Sequence, residues 1–325
     1  MKTSISVIIP THRRPRYLRR AILSVLSQTQ PADEVVIVEN GESSEGFPVV
    51  RELQRDAPYL RYMHHPIPSV SEARNVGLKS ATGEAIALLD DDDEWLPDKL
   101  ARQVQILEEC PAVGLVTCHA WLIHGEGAEK RVERAPHFEG PLSFKRLIAE
   151  GNCIWSPSSV LIRKKCLDVA GLFNPCFDYA EDYEWYLRIA RAFPIGRAEE
   201  PLIRYHIHSG NISSREPRMW ATTIDVLKAQ RPSPNLGVTQ ELINTTIKKY
   251  AQRLHHCAVD AMDAGNYQKA LGCYLLSVRH DPLVGLKNSW GRFRHPFYRI
   301  LRPYLAAGYC SWRSLAGRME TAQHA

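Results

Sequence analysis

The alternation of apolar and polar positions divides the first 120 residues into short strand-like runs separated by helical patterns. Residues 5–9 form an apolar run broken only by Ser6, as expected of a buried strand. A Pro-Thr turn follows. From Pro15 onward Tyr17, Leu18, Ala21, Ile22, Val25 and Leu26 recur at helical spacing, with proline at a helix start. Further strands are predicted at 34–39, 60–64, 85–89 and 112–119, with helices at 70–79 and 97–109 between them. This alternation predicts an α/β fold built on a doubly wound, mostly parallel sheet.

Beyond residue 120 the pattern loosens. Residues 125–141 are rich in Gly, Glu, Arg and Pro and read as an exposed excursion. A helix at 142–149, a strand at 158–162, a helix at 181–192 and a strand at 198–207 follow. Past Ser214 the pattern is helical, so a domain boundary is expected there. The expected layout is a domain at 1–214, divided near residue 120, and a helical extension at 215–325. Within the extension, the spacing of Ala258, Ala264, Gly265, Tyr267 and Ala270, closing at Asp281-Pro282, fits one tetratricopeptide-like helix pair. With one copy visible, a packed helical hairpin is expected and not an array.

Composition narrows the function classes. The chain has 325 residues, 44% apolar and 24% charged, an ordinary globular balance that excludes fibrous and wholly disordered architectures. A formal net charge of +5 is too weak to argue for nucleic acid, and no nucleic-acid partner is expected. The eight cysteines are scattered and lack metal-type spacing, so reduced thiols are expected. No window is apolar over about 18 residues and no secretory leader is legible, so the expected location is cytoplasmic.

The strongest chemical signal is the run 85–95, in which an apolar strand passes directly into Asp90, Asp91, Asp92, Asp93 and Glu94. Ligands of open α/β sheets bind outside the carboxyl ends of strands. Neighbouring carboxylates there repel one another, and a hard cation such as Mg²⁺ or Mn²⁺ relieves that repulsion while bridging to substrate phosphates. Glu39-Asn40-Gly41 closes the second strand and could be a plain turn. Its coincidence with Thr11 and Asp90 at two other strand ends favours a site.

Taken in order, Ser6-Val-Ile-Ile-Pro-Thr11, Arg19 to Thr29, Val35 to Gly41, Ala73-Arg-Asn-x-Gly77, Gly83 to Asp90 and Trp95-x-Pro-Asp-Lys-Leu100 resemble the nucleotide-sugar half of family 2 glycosyltransferases with the A-type fold. The resemblance continues through Ser158 to Arg163, Gly171-x-Phe173, Glu181-Asp182 and Tyr205 to Ser213, covering about 4–214. It implies inverting, metal-dependent transfer of a sugar from a nucleoside diphosphate sugar, such as a UDP-sugar, to a glycan or lipid-linked acceptor in polysaccharide synthesis. Pro10, Thr11 and Arg13 would approach the nucleoside, Glu39 and Asn40 the base edge, Arg74 the base or ribose, and Asp90 and Asp91 the rest of the nucleotide. Asp92 and Asp90 match the Asp-x-Asp motif and, with His208, would ligate the metal. Asp182 would be the general base with Glu181 beside it, and Trp95 and Asp93 would meet the acceptor. Two positions depart from the pattern: Glu39 replaces the usual Asp, and His206 replaces the Arg of Tyr-Arg-x-His.

Two other classes remain open at this stage: a nucleotidyltransferase, which would ordinarily carry a Gly-rich loop absent from Thr11 to Pro15, and a non-catalytic nucleotide-binding scaffold. The C-terminal tail also has two readings. Its positive excess and its mixture of Trp290, Phe293, Phe297 and Tyr298 with Arg292, Arg294 and Arg299 fit peripheral contact with the inner membrane face through 290–313 slightly better than a helical core packing.

Overall fold

A computed structural model describes residues 3–125, 131–135, 140–208, 211 and 216–281. The chain divides into two compact units, 1–246 and 247–325.

In the first unit the expected strand-helix alternation is present. The strands β1 (Ile5–Thr11), β2 (Glu34–Asn40), β3 (Leu60–His65) and β4 (Ala85–Leu88) form a parallel array in the order β3-β2-β1-β4. Every residue of β1, β2 and β4 is buried, which explains why the middles of these runs are mostly apolar. The helix α1 (Pro15–Leu26) places Leu18, Ala21, Ile22 and Val25 inward. On α3 (Val70–Ser80), Ser69 caps the N-terminus by accepting from the Glu72 N–H. Gly77 lets α3 lie directly on β1, since a Cβ there would sit 2.4 Å from Ile8 Cγ2. That close approach positions Arg74, one turn earlier, over the sheet edge.

The sheet continues β4-β8-β6-β9-β5, with β6 (Leu115–His124), β8 (Leu161–Arg163), β9 (Ile195–Ile207) and the two-residue β5 (Glu94–Trp95). Here parallel and antiparallel pairings mix: β8 is antiparallel to β4 and β6, β9 is parallel to β6, and β5 is antiparallel to β9. The mostly parallel expectation therefore describes the first half, and the whole sheet is mixed. Register shifts at His119 against β9 bend the pair so that β9 can reach β5 on its other side.

Four short elements went unpredicted: α2 (Phe47–Leu53), β5, β7 (Arg131–Arg134, paired with β6) and α6 (Cys166–Ala170). The helices α4 (Lys99–Glu109), α5 (Phe144–Glu150) and α7 (Glu181–Ala192) lie close to their predicted spans. α8 (Glu216–Lys228) and the start of α9 (Gln240–Asp263) belong to the first unit, which continues past Ser214, and the division falls inside α9.

In the second unit the rest of α9 is followed, after a turn with Gly265 at φ +74°, by α10 (Tyr267–His280). Asn266 caps α10 through the Lys269 N–H. The aromatic and basic tail, including 290–313, lies outside the described residues.

Candidate active site

The parallel register aligns Thr11 with Glu39, and Leu88 with Ile8, so the β1, β2 and β4 ends open on one edge. The acidic run leaves β4 at this edge. Its five members take five different directions.

Asp90 accepts from Arg74 at 2.7 Å, and the other arm of the same guanidinium reaches Glu181 at 2.7 Å. Arg74 is only 4% exposed and its guanidinium lies 5.3 Å from the Phe173 ring. Desolvation works against its charge, but the two carboxylates hold it firmly protonated. This bridge ties the first turn of α7 to the end of β4. Asp91 is buried and accepts from Thr11 Oγ1 at 2.6 Å. Burial and then the neighbouring Asp92 push its carboxyl up to about 7, against the pull of Thr11 and Arg14. Asp92 accepts from Arg14 at 2.8 Å and lies 3.2 Å from His208 Nε2. The His208 ring stacks on Tyr17, with centroids 5.7 Å apart and planes 7° from parallel.

Asp93 and Glu94 turn elsewhere. Asp93 is fully buried and accepts from Ser158 Oγ at 2.6 Å, Ser156 Oγ at 3.1 Å and the His206 N–H at 3.2 Å. Trp95 is 2% exposed, donates from its indole to the Ser158 carbonyl at 2.8 Å, and faces Lys99 Nζ 4.0 Å from its ring. Placing Asp93 and Trp95 against an acceptor is thus corrected: both are interior groups tying the acidic loop to the Pro157–Ser159 turn. Glu94 pairs with the His206 ring at 2.7 Å, which holds its carboxyl below the usual range despite desolvation. His206, standing where the family pattern has Arg, is thereby engaged by Glu94.

Three residues expected at the nucleotide have partners within the protein. Glu39 is fully buried, and its carboxylate accepts from the Gly46 N–H at 2.9 Å and the Tyr62 hydroxyl at 2.8 Å, so it fastens the α2 entry. Arg74 spends both terminal nitrogens on Asp90 and Glu181. Arg13, at φ 54°, pairs with the exposed Glu45 at 3.6 Å, and its neighbour Arg14 is the residue turned to the carboxylates. Pro10 is buried inside β1, and Asn40 is buried with its Oδ1 lacking a partner.

Asp182 is partly exposed at the start of α7, where Ala180 adopts a left-handed φ of 56° that turns the chain into the helix. Its carboxylate accepts from the Tyr183 N–H at 2.6 Å and from Asn152 Nδ2 at 3.2 Å. Burial among its neighbours, then Glu181, push its carboxyl up to about 7, with Arg74 opposing. A carboxyl titrating there can accept a proton near neutrality.

Asp92 and His208 present an oxygen and a nitrogen on one side of the cleft, while Asp90 is turned to Arg74. Among the described residues no group of three His, Cys, Asp or Glu side chains converges as a metal cage. Two protein donors nevertheless suit a Mg²⁺ or Mn²⁺ that completes its shell with substrate phosphates. Arg14, Tyr17, Asn152 and Ser158 were given no site role from the sequence. Only the density of arginines at 13–20 could have drawn attention to the first.

Residues 6–165 match the model of Glycosyl transferase family 2. An uncharacterized glycosyltransferase of a Nostoc species is 39% identical over 178 residues, covering 53% of this chain and 54% of that protein. The amylovoran biosynthesis glycosyltransferase AmsE of Erwinia amylovora is 27% identical over 217 residues, 65% of this chain and 79% of its own. The chain spans about half the length of the Nostoc relative and a third of a Rickettsia felis glycosyltransferase. Among solved structures, S. aureus TarS 1–349 with UDP-GlcNAc superposes at a TM-score of 0.58 with 16% identity, covering 82% of this chain and 89% of that one. The mannosyltransferase PcManGT of Pyrobaculum calidifontis, with GDP-Man and Mn²⁺, gives 0.55 and 18%, covering 90% and 88%. These likenesses show the A-type glycosyltransferase fold, with a helical C-terminal region. Over residues 6–165 this chain therefore resembles glycosyltransferase family 2.

Proposed function

We propose that the protein transfers a sugar from a nucleoside diphosphate sugar to an acceptor hydroxyl, with inversion and with Mg²⁺ or Mn²⁺, in glycan or polysaccharide synthesis. The observation that carries this reading is the Asp90–Arg74–Glu181 bridge. It ties Glu181 to Asp90 at the end of β4, and the next residue, Asp182, has its carboxyl raised to about 7. An inverting displacement needs that pairing: a base for the attacking hydroxyl on one side and charge stabilisation for the departing diphosphate on the other.

The roles follow from the side chains. Asp182 takes the acceptor proton, with Asn152 orienting its carboxylate. Arg74 holds Glu181 toward Asp90. Thr11, Asp90 and Asp91 border the nucleotide, and Asp92 with His208 would hold the metal. When bound, the metal supplies positive charge to the diphosphate leaving group. The chemistry is assigned to 1–214, with 215–325 as a helical extension. The relatives support the donor class: TarS was solved with UDP-GlcNAc, PcManGT with GDP-Man and Mn²⁺, and AmsE is named for amylovoran biosynthesis.

The test is release of nucleoside diphosphate from a panel of UDP- and GDP-sugars, with and without Mn²⁺. Metal-dependent turnover of one donor is expected. A protein that turns over none of them and binds no nucleoside diphosphate is not this enzyme.

A further inference from the structure

The strand β9 ends at Ile207, and past Arg204 its ladder on the β5 side stops, because β5 pairs only Glu94 with Arg204 and Trp95 with Ile203. Backbone groups left open at a strand end need other partners. Two side chains supply them. The His206 N–H donates to Asp93 Oδ1 at 3.2 Å, and the His206 carbonyl accepts from Asn211 Nδ2 at 3.1 Å. The same Asn211 amide accepts from the His208 N–H, and the Asn211 N–H closes back on the His208 carbonyl at 3.1 Å. Asn211 is buried, and asparagine suits the place because one amide carries both a donor and an acceptor.

These bonds fix the backbone from which two imidazoles project. In an extended chain residues two apart share a face, and here His206 meets Glu94 at 2.7 Å while His208 lies 3.2 Å from Asp92. The His208 ring is held from its flat side as well. Tyr17 of α1 stacks on it with planes 7° from parallel, and Tyr17 itself has the Arg20 guanidinium 5.3 Å from its ring. A histidine on an open loop would sample several rotamers, and binding an ion through it would cost the entropy of choosing one. Mg²⁺ in particular accepts little departure from its own geometry. Asp92 and His208 come from segments 116 residues apart, so their spacing is decided by what holds each of them.

We propose that Asn211 and Tyr17 are positioning residues: Asn211 through the backbone and Tyr17 through the ring, they set the His208 imidazole against Asp92 before an ion arrives. Neither touches the ion. This rests on the metal-dependent reading above. Partners of this kind behind a ligand are worth about 10–100-fold in metal affinity, and the loss on removing one does not exceed the loss of the imidazole itself.

The test is a paramagnetic-resonance titration of free Mn²⁺ with the full chain and saturating UDP or GDP. It compares wild type, Asn211→Ala, Tyr17→Leu, His208→Ala and the two doubles that join His208→Ala to each of the others. Asn211→Ala and Tyr17→Leu each weaken Mn²⁺ about 10–100-fold, and neither weakens it further once the imidazole is gone, because both act through that ring. A purely structural contribution would lower the thermal midpoint and leave the Mn²⁺ affinity of the folded chain unchanged. Wild-type affinity in both single variants, a full further loss in the doubles, or wild-type affinity in His208→Ala overturns the proposal. Tyr17 is half-buried on a different element from Asn211, so a folding failure of one variant leaves the other to decide. A readout without metal or nucleotide separates the positioning from the enzymatic reading. In the full chain carrying isotope-labelled histidine, the His208 resonance, identified by its loss in His208→Ala, moves in Asn211→Ala and Tyr17→Leu toward that of an unrestrained histidine. If wild type binds no Mn²⁺ with either nucleotide, the metal reading fails, while an unmoved resonance in both variants overturns the positioning on its own.

Discussion

Replacing Arg74 by Met removes the cation that bridges the end of β4 to α7. Its guanidinium holds Asp90 and Glu181 at 2.7 Å each while almost wholly buried. With it gone, two carboxylates roughly 6 Å apart repel by about 3 kcal/mol at an effective dielectric of 20. Two charge-assisted hydrogen bonds are lost as well, so the deficit falls in the range of about 3–5 kcal/mol seen when a buried ion pair loses one partner. For a unit of this size that lowers the thermal midpoint by about 6–20 °C. Adding Asp90→Asn and Glu181→Gln removes the repelling charges and recovers part of the deficit, and Arg74→Lys lies between because an ammonium cannot fork. Denaturant unfolding of each variant provides the assay. A deficit under about 1 kcal/mol, or one that the two neutralising substitutions do not reduce, would refute the bridge as the link holding α7 to the cleft.

Asp182→Asn retains donor binding and lowers transfer by about 10²–10⁴-fold; wild-type kcat/KM falls as pH drops below about 7, because the base must be ionised, and the variant lacks that limb. Asp92→Asn loses Mn²⁺-dependent binding of nucleoside diphosphate, and a titration with unchanged affinity would remove Asp92 from the metal. Asp93→Ala destabilises by about 2–4 kcal/mol in urea unfolding, since it leaves two serine hydroxyls and the His206 N–H without their acceptor. Glu34 is held at about 2, where burial would raise it but bonds from Ser6, Thr82 and Arg61 prevail. Its stabilisation relative to Glu34→Gln, about 3 kcal/mol, is present above pH 4.5 and lost as pH falls to 2.

The sequence by itself determined the parallel half of the sheet. β1, β2 and β4 are buried throughout, and strands so placed are mostly apolar, so their signature is local and readable. The proline at the start of α1, the glycine that lets α3 touch β1 and the acids at the end of β4 are likewise written in short segments. Only the tertiary structure decided where each acid points. Asp90 through Glu94 look alike in sequence, yet one meets Arg74, one Thr11, one Arg14 and His208, one a pair of buried serines and one His206. Those partners arrive from elements up to 116 residues away, and a bulged β9 brings two of them. The same holds for Glu39, which reads as a strand-end acid until α2, formed by an unremarkable segment, presents the Gly46 N–H beneath it. A carboxylate's role is set by which donors and charges stand within about 3 Å of it, and adjacency along the chain does not specify that set.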